Sequence, residues 1–326
     1  DPIDAGKQVV KLALTDDLPK KYDPPADLEP ETTLSNGQVN YVVFHLVRRA
    51  KLKVHVHLKD AEDQGRKGAD VTITPRTKGN PDTKKTVGDG ALADFEDRSA
   101  DDYDVSAVLS DEDKLHFYCP EAPLPLKLKP GEDRTFPYPV SPLARPKIVV
   151  VEKKSRAAVK EVAVKLKKGG EEHDFGKTAV NTGLAELAVD KPGLRGAEYD
   201  VLLTVDEKVY LKPAAAPKVT FADGSTETKT IELVKLARPK IRVVEDATGK
   251  EVEGVVVSLT ANKDHKKNDL DATRNSGFTD IAADKAGLPP DTYAVAVAAD
   301  SYKPVLVTPA NVTFDGSCRQ GVVKGL

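Results

Sequence analysis

The chain has 326 residues, of which 31% are charged and only 5% aromatic, and its formal net charge is −3. This length predicts two or three domains. Because charges of both signs are interspersed and no long basic run occurs, the composition argues against nucleic acid as a partner. No stretch approaches the roughly 18 consecutive apolar residues that span a bilayer, so membrane insertion is not expected.

The first 48 residues resemble the second half of a repeat that recurs later in the chain. The segment 8–14 matches the strand that follows each repeat tyrosine, and 36–44 matches the later hairpin at 223–233. We therefore predict that residues 1–48 are the C-terminal half of a preceding β-sandwich repeat. A half-sandwich leaves a sheet edge unpaired, which proteins usually avoid. Either the chain is a fragment or a processed product, which the absence of methionine favours, or another molecule supplies the missing strands.

Three repeats follow this segment. Their clearest signature is Arg-Pro-Lys-Ile, which begins at Arg145 and again at Arg238, 93 residues later. A glycine turn and a tyrosine strand then follow in the same order in every copy: Gly183 and Tyr199, Gly277 and Tyr293, and, in a looser first copy that begins at Lys51, Gly90 and Tyr103. A fixed period of this length predicts tandem domains. We place them at 49–144, 145–237 and 238–326.

Each repeat has the pattern of a β-sandwich. Apolar residues alternate with polar ones in segments such as 52–58 and 162–166, which indicates half-buried strands. About 93 residues with seven or so short strands is the size of a sandwich domain. Proline in the junctions Ala144-Arg145-Pro146 and Ala237-Arg238-Pro239 restricts the backbone. The predicted fold class is therefore all-β, with tandem antiparallel immunoglobulin-like or prealbumin-like sandwiches arranged as a rod.

The repeat tyrosines are expected to have a structural role. We expect each ring to pack at the sheet edge while its hydroxyl bonds to a nearby loop.

The third repeat carries a family resemblance. Its segments 275–281, 290–295 and 301–305, preceded by the valine-rich strand 252–257, resemble the carboxypeptidase-regulatory-like module. That module is a prealbumin-like sandwich related to the B-type repeats of Gram-positive surface adhesins. The resemblance extends over about nine-tenths of the chain, and it implies a non-catalytic spacer or binding module.

Adhesin B-type repeats often carry a cross-link between a first-strand lysine and a last-strand asparagine. Lys147 and Lys240 occupy suitable first-strand positions. The last-strand segments 228–236 and 321–326 contain no asparagine. We therefore expect no such cross-link here.

Three groups of residues could be considered as metal ligands. His55 and His57 have the spacing of a two-residue clamp, but Lys53 and Lys59 flank them, so we expect both on the solvent face of the first strand. Two other groups are predicted to be solvated loops or surface rather than cation sites: Glu171-Glu172-His173-Asp174 with Asp264-His265, and the acidic patch formed by Asp101-Asp102 together with Asp111-Glu112-Asp113. No metal or cofactor is predicted.

The two cysteines, Cys119 and Cys318, lie near the ends of the first and third repeats. They fall in different repeats that are not adjacent, so a disulfide between them is not expected. The proline-rich segments 120–130 and 137–139 could bind a partner groove. Edge strands that resist aggregation are the favoured interpretation.

The sequence lacks a nucleophile elbow, a zinc-binding His-Glu-x-x-His helix and a phosphate-binding loop, so no enzymatic activity is predicted. The leading prediction is a structural stalk or spacer in a secreted or cell-surface assembly, with protein partners at its ends or copies of itself. One alternative is a filament subunit that polymerises by strand completion through its N-terminal half-repeat. The other is a module that binds protein or carbohydrate, which the scarcity of aromatic residues disfavours.

Overall fold

A computed structural model describes residues 6–25, 29–34, 41–77, 79–88, 90–245, 247–274, 277–298, 310–314 and 321–324. Almost all regular structure in these ranges is β. The elements of the N-terminal segment are β1 (Gly6–Val9), α1 (Leu18–Lys21), β2 (Tyr22–Asp23), β3 (Glu31–Leu34) and β4 (Val47–Arg48). β1 pairs with β3 and β2 with β4, in two small antiparallel sheets.

The next part of the chain, from 50 to 142, forms two facing sheets. Its strands are β5 (Ala50–Leu58), β6 (Ala61–Gly65), β7 (Asp70–Pro75), β8 (Asp82–Lys85), β9 (Leu92–Arg98), β10 (Asp102–Val108), β11 (Phe117–Tyr118), β12 (Leu124–Lys127) and β13 (Asp133–Pro142), with a 3₁₀ turn at Asp113–Leu115. One sheet has the order β12-β10-β7-β8, and the other β11-β13-β5-β6 with β9 also on β5. Leu52 and Tyr138 of one sheet share a buried core with Ile73 and Val105 of the other.

Residues 147–235 form a second pair of sheets. The strands are β14 (Lys147–Glu152), β15 (Ala163–Lys168), β16 (Glu171–Lys177), β17 (Leu184–Glu186), β18 (Ala197–Thr204), β19 (Tyr210–Leu211), β20 (Lys218–Phe221) and β21 (Thr228–Lys235). Their orders are β17-β14-β21-β19 and β16-β15-β18-β20.

A third pair follows from 240 onward. It contains β22 (Lys240–Val244), β23 (Val256–Ala261), β24 (Lys267–Asp269), β25 (Phe278–Asp280), β26 (Asp291–Ala298), β27 (Asn311–Phe314) and β28 (Gly321–Lys324). The orders β25-β22-β28 and β24-β23-β26-β27 repeat the arrangement of the second pair. Ile241, Leu259 and Tyr293, drawn from both sheets, lie in one buried core.

The prediction of an all-β fold is confirmed. Burial alternates along the strands as the period-two pattern requires, for example in β10, where Tyr103, Val105 and Ala107 are buried between more exposed neighbours. Each fully buried aliphatic or aromatic side chain stabilises the fold by about 1.5–3 kcal/mol. Most neighbouring strands are antiparallel as expected, but the first and last strands of each pair of sheets are parallel. Alternation carries no information on strand direction, so the sequence could not distinguish the two.

The chain divides into two units. One comprises Asp1–Ala144 with Asp190–Arg195, and the other Arg145–Val189 with Gly196–Leu326. The first therefore contains the N-terminal segment and the first pair of sheets, and the second contains the other two pairs.

Candidate functional site

The parallel pairing of first and last strands is the feature with the clearest mechanical consequence. β5 pairs with β13 from Lys51 to Leu58, and β14 pairs with β21 from Lys147 to Glu152. The chain enters at the start of the first strand and leaves at the end of the last, and in a parallel pair these points lie at opposite ends. Tension between them shears the interstrand hydrogen bonds together instead of opening them one at a time.

An arginine clamp stands at the start of each first strand. The guanidinium of Arg238 donates to the carbonyl oxygens of Ala282 and Lys285 at 3.3 and 2.7 Å. Arg145 donates in the same way to Ala188 and Val189. In the first copy, Arg49 donates to the carbonyl of Asp97 and to the carboxylate of Asp23. Charge-assisted bonds of this kind are about twice as strong as neutral ones, so each clamp fixes the entry of the strand.

Within the second unit, the junction at 236–238 is held by a two-way backbone bridge. Ala237 and Leu288 exchange hydrogen bonds of 2.8 Å in both directions, and Gly287 donates to the carbonyl of Lys208 at 3.0 Å. A Cβ on Gly287 would lie 2.8 Å from the Ala237 oxygen. Only glycine permits this approach, so the junction is closely packed.

The first unit contains the matching arrangement. Ala144 and Leu194 form the same bridge, and Gly193 donates to the carbonyl of Leu115. Arg195 pairs with Glu121, and its guanidinium lies 4.8 Å from the centre of the Tyr118 ring. Proline was expected to restrict the backbone at these junctions. The hydrogen bonds come from a glycine loop that the prediction did not include.

Three buried threonines each make a pair of hydrogen bonds to the backbone, called here a threonine clasp, which was not predicted from the sequence. Thr178 donates to the carbonyl of Val159 at 2.7 Å and accepts from the amide of Val162 at 3.0 Å. Thr273 does the same between Val252 and Val255. Thr86 makes the equivalent pair of bonds to Arg66 and Ala69. The three threonines recur at the repeat period, four or five residues before the glycine turn, and that spacing could have revealed them.

The repeat tyrosines behave largely as expected. Tyr103 donates to the carbonyl of Ser99 at 2.9 Å, and Tyr293 donates to that of Pro289 at 2.8 Å, each four residues back along the chain. Their rings are buried in the core rather than at the sheet edge. Burial, with the nearby carboxylates of Asp291 and Asp264, raises the pKa of Tyr293 to about 12. The hydroxyl therefore stays a donor throughout the physiological range.

The expectation that both clamp histidines face solvent is wrong for His57. This side chain is only 3% exposed, and its ring nitrogen Nδ1 lies 2.8 Å from the carbonyl of Leu58. The reason is β6, which folds back onto β5 and pairs Gly65 with His57. The ring of His55 lies 5.2 Å from that of His57 and beneath Gly65.

This packing predicts an acid-sensitive first sandwich. Burial, and secondarily the neighbouring His57, lowers the pKa of His55, which Glu62 only partly opposes. The unfolded chain therefore binds a proton more readily than the folded one as the pH falls below about 6.5, and stability declines there. His55→Gln should reduce the loss of stability between pH 7 and pH 5, measured by urea denaturation. His45→Gln, at an exposed position, is the matched control, and an equal effect of both variants would contradict the assignment.

The two segments that combine acidic residues with a histidine, 171–174 and 264–265, do not occupy equivalent positions in their sandwiches. Glu171–Asp174 was predicted to be a loop, but it lies in β16, the second strand of a hairpin, where the carboxylate of Glu172 accepts from Lys165 at 3.2 Å. The turn of that hairpin is formed by Gly169-Gly170 instead. Asp264 does lie in a turn, where its carboxylate accepts from the amide of Lys266. These carboxylates are therefore engaged in local structure.

The predicted acidic patch is also separated. Asp101 and Asp102 lie at the start of β10 and Asp111–Asp113 follows its end, so about 20 Å of strand lies between them. Asp113 is paired with Arg66 and Asp111 with Lys114. Adjacency in the sequence was misleading because the strand between the two clusters is extended.

Cys119 is not in a disulfide and packs against the first core. Burial raises the pKa of its thiol, opposed by a hydrogen bond with Tyr138. Cys318 lies outside the described residues.

The proline segments support the edge-strand interpretation. The backbone amides of Lys51 and Lys59 donate to the carbonyls of Glu132 and Val140. The even-numbered residues of β13 therefore direct their backbone amides and carbonyls toward β5. Pro137 and Pro139 therefore point away from β5, toward a side that β11 covers only at 141–142. Proline has no amide hydrogen, and here it replaces the donors that an intruding strand would use.

In the part of the chain that the structure describes, no three histidine, cysteine, aspartate or glutamate residues are grouped to hold a metal ion. The described helical residues include no helix long and apolar enough to cross a membrane.

No protein-family model and no curated protein matches this sequence, so the carboxypeptidase-regulatory-like resemblance stays a prediction. Solved structures do match. The Bacillus anthracis TIE protein is 13% identical with a TM-score of 0.34, and the match covers 91% of this chain but only 52% of that protein. The minor pilin GBS52 of Streptococcus agalactiae is 14% identical, with a TM-score of 0.39 and coverages of 58% and 97%. The major pilin subunit BcpA of Bacillus cereus is 8% identical, with a TM-score of 0.30 and coverages of 85% and 98%.

Proposed function

We propose that this chain is a non-catalytic structural protein that transmits tension in a secreted or cell-surface assembly, as a stalk or spacer built of tandem sandwiches. Its domains are 1–48, 49–144, 145–237 and 238–326. The single observation that carries the proposal is the parallel pairing of first and last strands, seen in all three pairs of sheets. Tension along the chain then loads each ladder in shear.

The junctions support the same role. Arg238 and the Ala237–Leu288 bridge hold the last strand of one sandwich and the first strand of the next to a common loop. A tether with such a junction transmits force without first extending a slack linker. The sequence resemblance to adhesin-type modules supports the secreted or cell-surface location.

Single-molecule pulling of the full chain from its two ends tests the proposal. We expect separate unfolding events, each releasing roughly 300 Å of chain, the extended length of about 93 residues. Forced unfolding reports the unfolding rate rather than the equilibrium stability, so high forces should accompany ordinary denaturant midpoints. Extension at low force without discrete events would contradict the proposal.

A further inference from the structure

The second sandwich has an open sheet edge on β21. The backbone amides of Lys147 and Lys153 donate to the carbonyls of Glu227 and Leu233. Residues 227, 229, 231 and 233 therefore direct their backbone amides and carbonyls toward β14. Thr228, Thr230 and Glu232 therefore direct their backbone amides and carbonyls away from β14. β19 covers this side only at 234–235, and no other described strand pairs there.

The first sandwich blocks the corresponding edge with proline. The short strand β11 pairs with residues 141–142 of β13, and β19 pairs with residues 234–235 of β21, so these positions are equivalent. Two residues earlier, Pro139 corresponds to Glu232, and Pro137 likewise corresponds to Thr230. The facing edge strand β12 carries Pro125 where β20 has Lys218. Natural proteins protect edges in this way against strand addition. The second sandwich lacks these prolines, so its edge is open to an added strand.

A groove accompanies the open edge. It lies between β20 and β21, the two edge strands of the facing sheets, and has a volume of about 540 Å³. Pro217, Val219 and Ile231 contribute the apolar side chains of its lining, and Val219 and Ile231 are largely buried. An added strand would continue the sheet at β21 and place alternate side chains over this groove.

The same chain carries a segment with the sequence of a strand that is not part of a sheet among the described residues. Residues 41–46 read Tyr-Val-Val-Phe-His-Leu, a composition typical of strands. No strand among the described residues pairs with them, and Tyr41 and Val43 are 84% and 70% exposed. This segment continues the stretch whose sequence matches the last hairpin of a repeat. It therefore has the sequence of a sandwich strand but pairs with no strand in the part of the chain that the structure describes.

We propose that residues 41–46 of one copy add as a strand to the β21 edge of a second copy. The amides and carbonyls of Thr228, Thr230 and Glu232 supply the ladder, and the exposed side chains of Tyr41 and Val43 cover the groove at Val219 and Ile231. Donor and acceptor are different surfaces, so each added copy leaves one of each free and the contact propagates from copy to copy, as an open filament or a closed ring. The inference rests on the proposed structural role and supplies its partner, a second copy of this chain.

Sedimentation velocity of the full chain over a range of concentrations tests this contact. The wild type should show an average mass that rises with concentration. Glu232→Pro removes an outward-facing donor, as Pro139 does in the first sandwich, and should weaken association about tenfold or more. Glu232→Gln keeps the donor and removes only the charge that pairs with Arg156, so association should persist.

A donor variant makes the test independent of folding at β21. Val43→Asp, at an exposed position, should also abolish association, whereas Val189→Asp, at a site 85% exposed, should not. A wild type that stays monomeric, or association that survives Glu232→Pro or Val43→Asp, would overturn the inference. A monomer that still resists pulling would leave the proposed function standing, whereas filaments of chains that extend at low force would overturn that function alone.

Discussion

Gly183→Ala is expected to lower the free energy of unfolding of the second sandwich by about 3–4 kcal/mol. Gly183 has a φ of +65°, and an added Cβ would lie 2.3 Å from the carbonyl oxygen of Val150. The left-handed backbone costs an L-residue about 1–2 kcal/mol. The clash adds a cost similar to that of overpacking, about 1–3 kcal/mol, because the atom it meets is backbone in a paired strand.

Gly169→Ala is the matched control for that variant. Its φ is +59°, nearly the same, but an added Cβ meets no atom within 4 Å. Only the backbone cost remains, about 1–2 kcal/mol. Hydrogen-exchange mass spectrometry of peptides from 145–237 in the full chain measures both effects. Equal losses in the two variants would show that the close approach to Val150 has no energetic weight.

Thr178→Val is expected to cost the same sandwich about 3 kcal/mol. Valine has nearly the shape of threonine but leaves the carbonyl of Val159 and the amide of Val162 without the bonds that Thr178 makes at 2.7 and 3.0 Å. Thr178 is only 1% exposed, so water cannot replace them. Each buried group left without a partner costs about 1–3 kcal/mol.

Thr178→Ser distinguishes the hydroxyl from the methyl group. Serine keeps both hydrogen bonds and loses one methyl, at a cost of about 1 kcal/mol. The same exchange experiment over 145–237 measures the difference. A serine variant as unstable as the valine variant would place the effect in packing rather than in the clasp.

The sequence predicted the elements that depend on local pattern. Alternation identified strands such as β5, and the motifs around Gly183 and Gly277 marked turns where the backbone has positive φ. In the first copy the predicted turn glycine, Gly90, is one residue away from the equivalent position, which Ala91 occupies. The carbonyl of Ala91 accepts from the amide of Val56, as that of Gly183 accepts from the amide of Val150, and Ala91 has a φ of +45°.

Features that depend on tertiary contacts could not be predicted in this way. The burial of His57 accompanies the pairing of β6 alongside β5, and the sequence of β6, Ala-Glu-Asp-Gln-Gly, has no apolar alternation. The direction of β21 relative to β14 depends on how the chain returns across the sandwich. The threonine hydrogen bonds could have been predicted because the threonine recurs at the repeat period. A single threonine gives no such indication, because its backbone partners are not evident from the sequence.

Pulling the second sandwich in two directions tests the mechanical account most directly. Lys147 and Thr228 are opposite each other in the parallel register, whereas Lys147 and Lys235 lie toward opposite ends of the paired strands. Handles attached at 147 and 235 shear the β14–β21 ladder, and handles at 147 and 228 open it one bond at a time. We predict a clearly higher unfolding force for the first pair at the same loading rate. Equal forces in both directions would contradict the claim that strand direction gives this protein its resistance to tension.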